Sequence, residues 1–142
     1  VSIVDLSSNL ASPSSVDAVV TFRNLHNWIG PQMDIIFENS YKALKPGGIF
    51  GIVEHRANPG ISIDSMKKSG YVTESYAIAI AEKHGFVLVD KSEINANPKD
   101  LKNYERGVWT LPPSLRLKDK DKEKYLEIGE SDRMTLLFRK PN

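Results

Sequence analysis

Two clusters of polar and ionisable side chains follow the two most strand-like runs of this sequence. The first cluster, RNLHNW, comes directly after the apolar run Val16–Phe22, and the second, EHR, comes directly after residues 49–53. A histidine that titrates near neutral pH could take a proton from a reacting group, and a carboxylate beside it could orient the ring. We therefore predict one catalytic site from the two clusters, with the candidate catalytic residues His26, Glu54 and His55.

The residues between the two clusters must form the elements that bring them together. Gly30-Pro31 is typical of a helix start, because a proline at the first helical position loses no hydrogen bond. Apolar residues then recur with helical spacing as far as Leu44, and the Lys-Pro-Gly-Gly turn at residues 45–48 should end the helix. Strand, helix and strand in this order predict a right-handed βαβ unit, with both clusters at the carboxyl ends of parallel strands, where ligands bind.

The remaining apolar runs predict further strands of the same sheet. Thr73 is a suitable N-cap for a helix that ends at Gly85-Phe86, and a strand should begin at Val87. The last strand is predicted over residues 134–138, and a weaker strand over residues 1–6. The alternation of strands and helices favours an α/β sheet with helices on its faces.

A long segment without strand character separates the last two predicted strands. It covers residues 95–132 and is predicted to be a loop or lid insertion, in which residues 122–128 form a short helix. The whole chain, residues 1–142, has the length of a single domain. The sequence begins at Val1 and its first methionine is Met33, so we expect it to be the later part of a longer product.

Composition excludes several classes of function. The chain has 19 Lys+Arg and 18 Asp+Glu, a net charge of +1, so bulk charge does not favour a nucleic-acid partner. No apolar run approaches the roughly 20 residues of a membrane span, so no membrane partner is expected. The absence of cysteine excludes disulfides and thiolate chemistry, and the three histidines lack the spacing of a metal motif, so no metal is expected. The compartment is not fixed by these features; the cytoplasm is the default.

The order of several phrases carries a resemblance to a known family. VDAVVTFRNLHNW, a helix ending in YKALKPGG and then IFGIVEH resemble the second half of a class I S-adenosylmethionine-dependent methyltransferase. The phrases SGYVTE, INANPKD, GVWTLPP and GESDRMT are similar to a bacterial group of predicted methyltransferases within that family. The resemblance implies an α/β fold: a partial doubly wound, Rossmann-like methyltransferase sheet, mostly parallel with an antiparallel last strand.

The resemblance also implies a cofactor, S-adenosylmethionine, and residues that would contact it. In this sequence they are Asp5, Phe22, Arg23, Asn24 and Leu25. The family's glycine-rich loop is absent, because no G-x-G pair occurs among the nine glycines, and such a loop lets the backbone pass close to the ligand. We therefore expect weak or no cofactor binding by these 142 residues alone.

A small-molecule methyl acceptor is expected. The sequence NPKD at residues 97–100 is not the N-P-P-aromatic motif of methyltransferases that act on nucleic-acid amino groups, and it follows the wrong strand. Aromatic and cationic residues near the two clusters could form a wall over the acceptor, with two of them on lids that exclude water. These candidate substrate residues are Trp28, Arg56, Tyr71 and Trp109.

Two other functions remain open from the sequence. One is a fragment of a dinucleotide-binding oxidoreductase, which would not predict the Lys-Pro-Gly-Gly turn or an antiparallel last strand. The other is a non-catalytic Rossmann-like module that oligomerises or binds a partner, since fold alone does not decide function. The methyltransferase resemblance implies that the strand Val16–Phe22 lacks the neighbour that the family's first strand provides, so a homodimer or higher oligomer through its apolar edge is expected.

Overall fold

The computed structural model describes residues 1–142, and at its centre is a four-stranded sheet in the order β1-β2-β4-β3. The strands are β1 (Val16–Phe22), β2 (Leu44–His55), β3 (Val87–Ser92) and β4 (Arg133–Arg139). β1 and β2 are parallel neighbours, whereas β4 lies antiparallel between β2 and β3. Three strands therefore run in one direction and the last in the other, which confirms the predicted partial Rossmann-like methyltransferase sheet.

Five α-helices and a 3₁₀ turn surround the sheet. They are α1 (Leu25–Trp28), α2 (Pro31–Ala43), α3 (Ile63–Ser69), α4 (Glu74–Lys83), α5 (Lys122–Ile128) and the 3₁₀ turn Gly107–Thr110. The start of α2 at a proline, the N-cap of α4 at Thr73 and the span of α5 were predicted and are confirmed. No helix combines the length and the apolar character needed to cross a membrane.

The core lies on one face of the sheet, under α2 and α4. Phe50 of β2 packs edge-on against Phe37 of α2, with their ring centroids 5.1 Å apart, and against Phe86 at 5.0 Å. The opposite face carries no helix in this chain. Val20 and Phe22 there are 57% and 58% exposed, beside an apolar hollow of about 360 Å³. Doubly wound sheets usually cover both faces, so this face is a surface that another element would cover.

The predicted strand at residues 1–6 is wrong: these residues are exposed and irregular, with a turn from residue 6. A strand needs a neighbouring ladder to satisfy its N–H and C=O groups, and β1, at the sheet's edge, is not paired with this segment.

The strand predicted at residues 49–53 is longer than expected, since β2 begins at Leu44, directly after α2. A register shift between Val16 and Ala18 accommodates residues 45–48. Gly48 is required in this turn, because a Cβ there would lie 2.9 Å from the Lys45 carbonyl oxygen.

Candidate functional site

The first pair of site residues is formed where β1 and β2 end side by side. Arg23 adopts a left-handed conformation, with φ of 58°, and donates its backbone N–H to the Val53 carbonyl at 2.7 Å. This turn carries the chain across the end of β2 and places the start of α1 above Glu54. The Nδ1 atom of His26 then lies 3.0 Å from Glu54 Oε2, so two predicted catalytic residues, 28 positions apart, are in contact.

Glu54 is completely buried, and backbone groups as well as the histidine satisfy its carboxylate. The backbone N–H of His26 donates to Oε2 at 2.9 Å, and that of His55 donates to Oε1 at 2.8 Å. A buried carboxylate is costly unless it is hydrogen-bonded, so these donors are what allows it to lie here. Because Nδ1 of His26 faces Glu54, its Nε2 atom is the ring nitrogen left without a partner.

The Nε2 atom of His26 has no hydrogen-bond partner within the chain, although the side chain is only 7% exposed. It is not among the fully buried side-chain atoms that lack a partner, which are Thr21 Oγ1 and Arg133 Nε, so it keeps some contact with solvent. A carboxylate that holds one imidazole nitrogen while the other has no partner is the arrangement of a general base and its orienting group.

His55 lies on the other side of His26, with the two ring centroids 5.5 Å apart. Its Nδ1 atom is 2.5 Å from Ser131 Oγ, which fixes the orientation of the ring. Burial lowers the pKa of His55 to about 3, and the positive charges of Arg133 and Arg23 add to this effect. His55 is therefore a neutral imidazole at physiological pH.

Trp109 closes the site from the long segment between β3 and β4. The edge of its ring packs on His26, with ring centroids 5.7 Å apart. Gly107 makes this approach feasible: its φ is +56°, and a Cβ there would overlap the backbone of Ser69 at the end of α3. The predicted aromatic residue thus lies beside the predicted base, although neither the 3₁₀ turn nor α3 was expected from the sequence.

Arg56 and Tyr71, both expected to contact substrate, have structural partners instead. The Arg56 guanidinium binds Glu93 at 2.7 Å, Asp132 at 3.0 Å and Glu74 at 3.3 Å. Tyr71 is only 1% exposed, and its hydroxyl donates to Asp100 at 2.9 Å. These contacts leave neither residue free for an acceptor, and Tyr71 supports the His55 ring from 6.3 Å rather than forming a lid.

The same buried network fastens the long segment to the sheet. Lys102 Nζ lies 2.7 Å from Asp132 Oδ2, and the Asp132 backbone N–H donates to Asp100 at 2.8 Å. Burial alone would raise the pKa of Asp132, but hydrogen bonds from Arg56, Lys102 and the Asn97 backbone lower it to about 2. The lid role of residues 95–132 stays a prediction, as does the single-domain organisation of the chain.

The candidate cofactor residues border a separate groove of about 330 Å³ along β1. Phe22, Asn24 and Trp28 line it, together with the buried, unpartnered Thr21 hydroxyl. The Leu25 side chain is fully buried in the core, so only its backbone could contact a ligand.

Asp5 lies in an exposed turn at the amino end of the chain. Its carboxylate accepts the Ser7 N–H at 2.6 Å, and this hydrogen bond lowers its pKa. The following residue, Leu6, borders the groove along β1. Asp5 is therefore close to the groove in the chain but is not part of its lining.

Ligand atoms of His26, Glu54 and His55 lie within 4.8 Å of one another, so the fold assembles a two-histidine, one-carboxylate set that the sequence spacing did not reveal. Both Glu54 oxygens already accept backbone N–H groups, so the geometry favours a hydrogen-bonded pair over a metal centre.

Ser131 and Arg133 are site residues that sequence reasoning missed. Both belong to the phrase GESDRMT before and at the start of β4. The predicted antiparallel last strand was a partial signal; the structure adds that this strand lies next to β2, which places the start of β4 beside the end of β2.

Comparison with known proteins shows which solved structures have a similar fold. No family model and no curated protein matches the sequence. Solved structures do match: the [4+2]-cyclase SpnF, with a TM-score of 0.63 and 17% identity, and a SAM-dependent methyltransferase from Methanosarcina mazei, with 0.61 and 15%. A third is the 1,6-didemethyltoxoflavin-N1-methyltransferase of Burkholderia thailandensis with bound 1,6-didemethyltoxoflavin and S-adenosylhomocysteine, with a TM-score of 0.56 and 12% identity.

The share of each chain that these matches cover is also informative. They cover 99%, 99% and 96% of this chain but only 56%, 66% and 48% of the other chains, so this chain spans roughly half to two thirds of their length. The chain therefore has the fold of part of a SAM-dependent methyltransferase, consistent with a carboxyl-terminal fragment. Since SpnF is a cyclase, the same fold supports more than one chemistry, and the reaction must be argued from the site.

Proposed function

We propose that this chain is the acceptor-side part of a SAM-dependent methyltransferase that acts on a small molecule. The observation that carries the proposal is the contact between Glu54 and His26 Nδ1, which leaves Nε2 without a hydrogen-bond partner at the carboxyl ends of β1 and β2. Ligands of doubly wound sheets bind at this end of the strands. The bound 1,6-didemethyltoxoflavin and S-adenosylhomocysteine of the Burkholderia enzyme support the same assignment of acceptor and cofactor here.

The residues of the groove along β1 fit one side of the cofactor. The groove is mostly apolar, and the buried Thr21 hydroxyl is an unpartnered polar group in its lining. Phe22, Asn24 and the backbone of residues 23–25 would hold the cofactor there, with Asp5 nearby. When bound, the cofactor supplies a methyl group on a positively charged sulfur.

The chain's own residues would orient the acceptor and remove its proton. They would hold the acceptor close to that methyl group and in line with the bond that carries it. His26 Nε2 would take the proton that the acceptor loses, and Glu54 would hold Nδ1–H and stabilise the resulting imidazolium. Trp109 and the neutral His55 would keep water from this space.

Binding of S-adenosylhomocysteine tests the proposal directly. Titration of the ¹⁵N-labelled chain should give weak binding, with amide shifts concentrated at residues 21–25. The same residues should respond more strongly in a protein that carries these 142 residues behind a glycine-rich segment. In that protein His26→Ala should abolish transfer, whereas His84→Ala, a histidine paired with Asp34 at 2.9 Å, should not. Absence of binding in both proteins would favour the non-catalytic module.

We also propose that two copies of the chain pair through β1. Its outer edge has no neighbouring strand, and Val20 and Phe22 on it are more than half exposed. Light scattering should give a dimer that Val20→Lys dissociates. The matched control is Val87→Lys on β3, the opposite edge, where Val87 is 51% exposed. A monomer at high protein concentration would refute the pairing.

A further inference from the structure

Three arginines lie around the two histidines of the site. Arg133 is directly opposite His55 in the β2–β4 ladder, so their side chains share one face of the sheet. Arg23 is at the end of β1, bound through its backbone to Val53, and so flanks the same histidine from the other neighbouring strand. The Arg116 guanidinium lies 4.7 Å above the ring of Trp109, whose edge packs on His26.

The hydrogen-bond donors of these arginines are largely unused. Arg23 and Arg116 make no side-chain hydrogen bond or ion pair, in contrast to Arg56, which binds three carboxylates at the same edge of the sheet. Arg133 donates from Nη2 to Glu130 at 3.0 Å, but its Nε–H is buried and has no partner. A buried donor without an acceptor is costly, so an acceptor supplied by a ligand would stabilise this arrangement.

The neighbouring carboxylates do not neutralise these donors. Glu54 is occupied by His26 and two backbone N–H groups, and Glu130 reaches one nitrogen of Arg133. His55 is neutral, so it adds no charge of its own. The guanidinium groups of Arg23 and Arg116 are therefore unpaired, that of Arg133 has one ion pair, and the carboxylates nearby are already bound.

We propose that Arg133, together with Arg23 and Arg116, forms a subsite for an anionic group of the bound ligand, a carboxylate or a phosphate. Guanidinium groups present parallel N–H donors that match the oxygens of both anions. The inference rests on the proposed function in one respect: the ligand is the methyl acceptor, which is then an anionic small molecule. The alternative source of the same chemistry is the carboxylate of the methyl donor.

Inorganic phosphate is the probe that tests the subsite. It should be titrated at low ionic strength into the ¹⁵N-labelled chain while the Nε–H signals of the arginines are recorded. We expect saturable shifts of Arg133 and Arg23, and about tenfold weaker binding in Arg133→Gln, the loss of one charge-assisted hydrogen bond. Arg139→Gln, at the far end of the same strand, should bind phosphate normally. Arg133→Lys, which keeps the charge but not the paired donors, should bind with intermediate affinity.

Two outcomes would overturn the inference: no saturable shift at Arg133 Nε–H, or equal weakening by the Arg133→Gln and Arg139→Gln substitutions. Circular dichroism of each variant separates loss of binding from loss of fold. S-adenosylhomocysteine and 5′-methylthioadenosine, which lacks the carboxylate, separate the two sources. If phosphate and S-adenosylhomocysteine bind at the same time, the subsite takes an anionic group of the acceptor. If S-adenosylhomocysteine competes with phosphate and methylthioadenosine does not compete, the subsite takes the carboxylate of the methyl donor, and the acceptor assignment is overturned. Phosphate binding is measured independently of methyl transfer. A protein that binds phosphate but transfers no methyl group would therefore contradict only the proposed function.

Discussion

Replacing Glu54 by glutamine should destabilise the protein, because the buried side chain would lose one of its two acceptor oxygens. The wild-type carboxylate accepts three hydrogen bonds: two from backbone N–H groups and one from the His26 ring, at 2.8 to 3.0 Å. A glutamine amide has one oxygen, so its NH₂ group must point at a backbone N–H or at His26. Each buried donor left unpaired costs about 1 to 3 kcal/mol, and we expect a loss of about 2 to 3 kcal/mol in the free energy of unfolding.

Urea unfolding followed by tryptophan fluorescence measures this loss, because Trp109 packs on His26 and reports the site directly. Glu93→Gln is the matched control: Glu93 contacts the cationic Arg56, but the Glu93 side chain is 65% exposed, and exposed ion pairs contribute little. A loss below 0.5 kcal/mol for Glu54→Gln, or equal losses for both variants, would refute the reasoning. Nitrogen shifts of His26 give a second readout, since Nδ1 should lose its fixed proton in the variant.

Three further predictions follow from the packing around the site. The pKa of Asp132 falls from 3.8 to about 2 on folding, so its carboxylate contributes about 2 kcal/mol that is present above pH 3.8 and is lost as the pH falls through 2; urea unfolding at pH 6 and pH 2.5 should show most of this difference, and Asp132→Asn should reduce it, the rest coming from Asp34, Glu38 and Glu93, whose pKa values are also lowered. Gly107→Ala should cost about 2 to 3 kcal/mol and change the Trp109 fluorescence, because its Cβ would overlap Ser69, whereas Gly60→Ala, with no atom within 4 Å, should cost about 1 kcal/mol in thermal unfolding. Tyr71→Phe should cost about 1 to 2 kcal/mol in the same assay, because Asp100 loses a buried donor.

The central βαβ unit was predictable because local signals and global fold agree there. The proline at the start of α2, its apolar stripe and the glycines after it all specify the same helix, and β1 has the bounds that its apolar run predicts. Parallel strands then bring their ends together by geometry, so the convergence of His26 and Glu54 followed from the topology. Residues 1–6 have equally apolar composition but no paired neighbour, and the prediction failed there.

The roles of Arg56 and Tyr71 could not be predicted because their partners are distant in sequence. Arg56 is held by carboxylates 18, 37 and 76 positions away, and Tyr71 by one 29 positions away. From the sequence, a cation and an aromatic residue near a candidate site favour substrate contacts. Only the folded chain shows that acidic residues bind both side chains and so attach the long segment to the sheet. Arg23 and Arg133, in contrast, have N–H donors without a partner.

The site and the cofactor groove depend on different parts of the fold, and this separation can be tested. Every residue of the His26–Glu54 pair, its Trp109 cover and its arginines belongs to this chain and is held by contacts within it. The groove along β1 instead opens towards an unpaired strand edge and a bare sheet face, with the Thr21 hydroxyl left unpartnered. Anion binding by the arginines should therefore be complete in these 142 residues, whereas S-adenosylhomocysteine binding should strengthen once β1 gains a neighbour. If both affinities rose together on extension of the chain, the acceptor side would not be preformed, and the roles assigned to Arg133 and His26 would have to be revised.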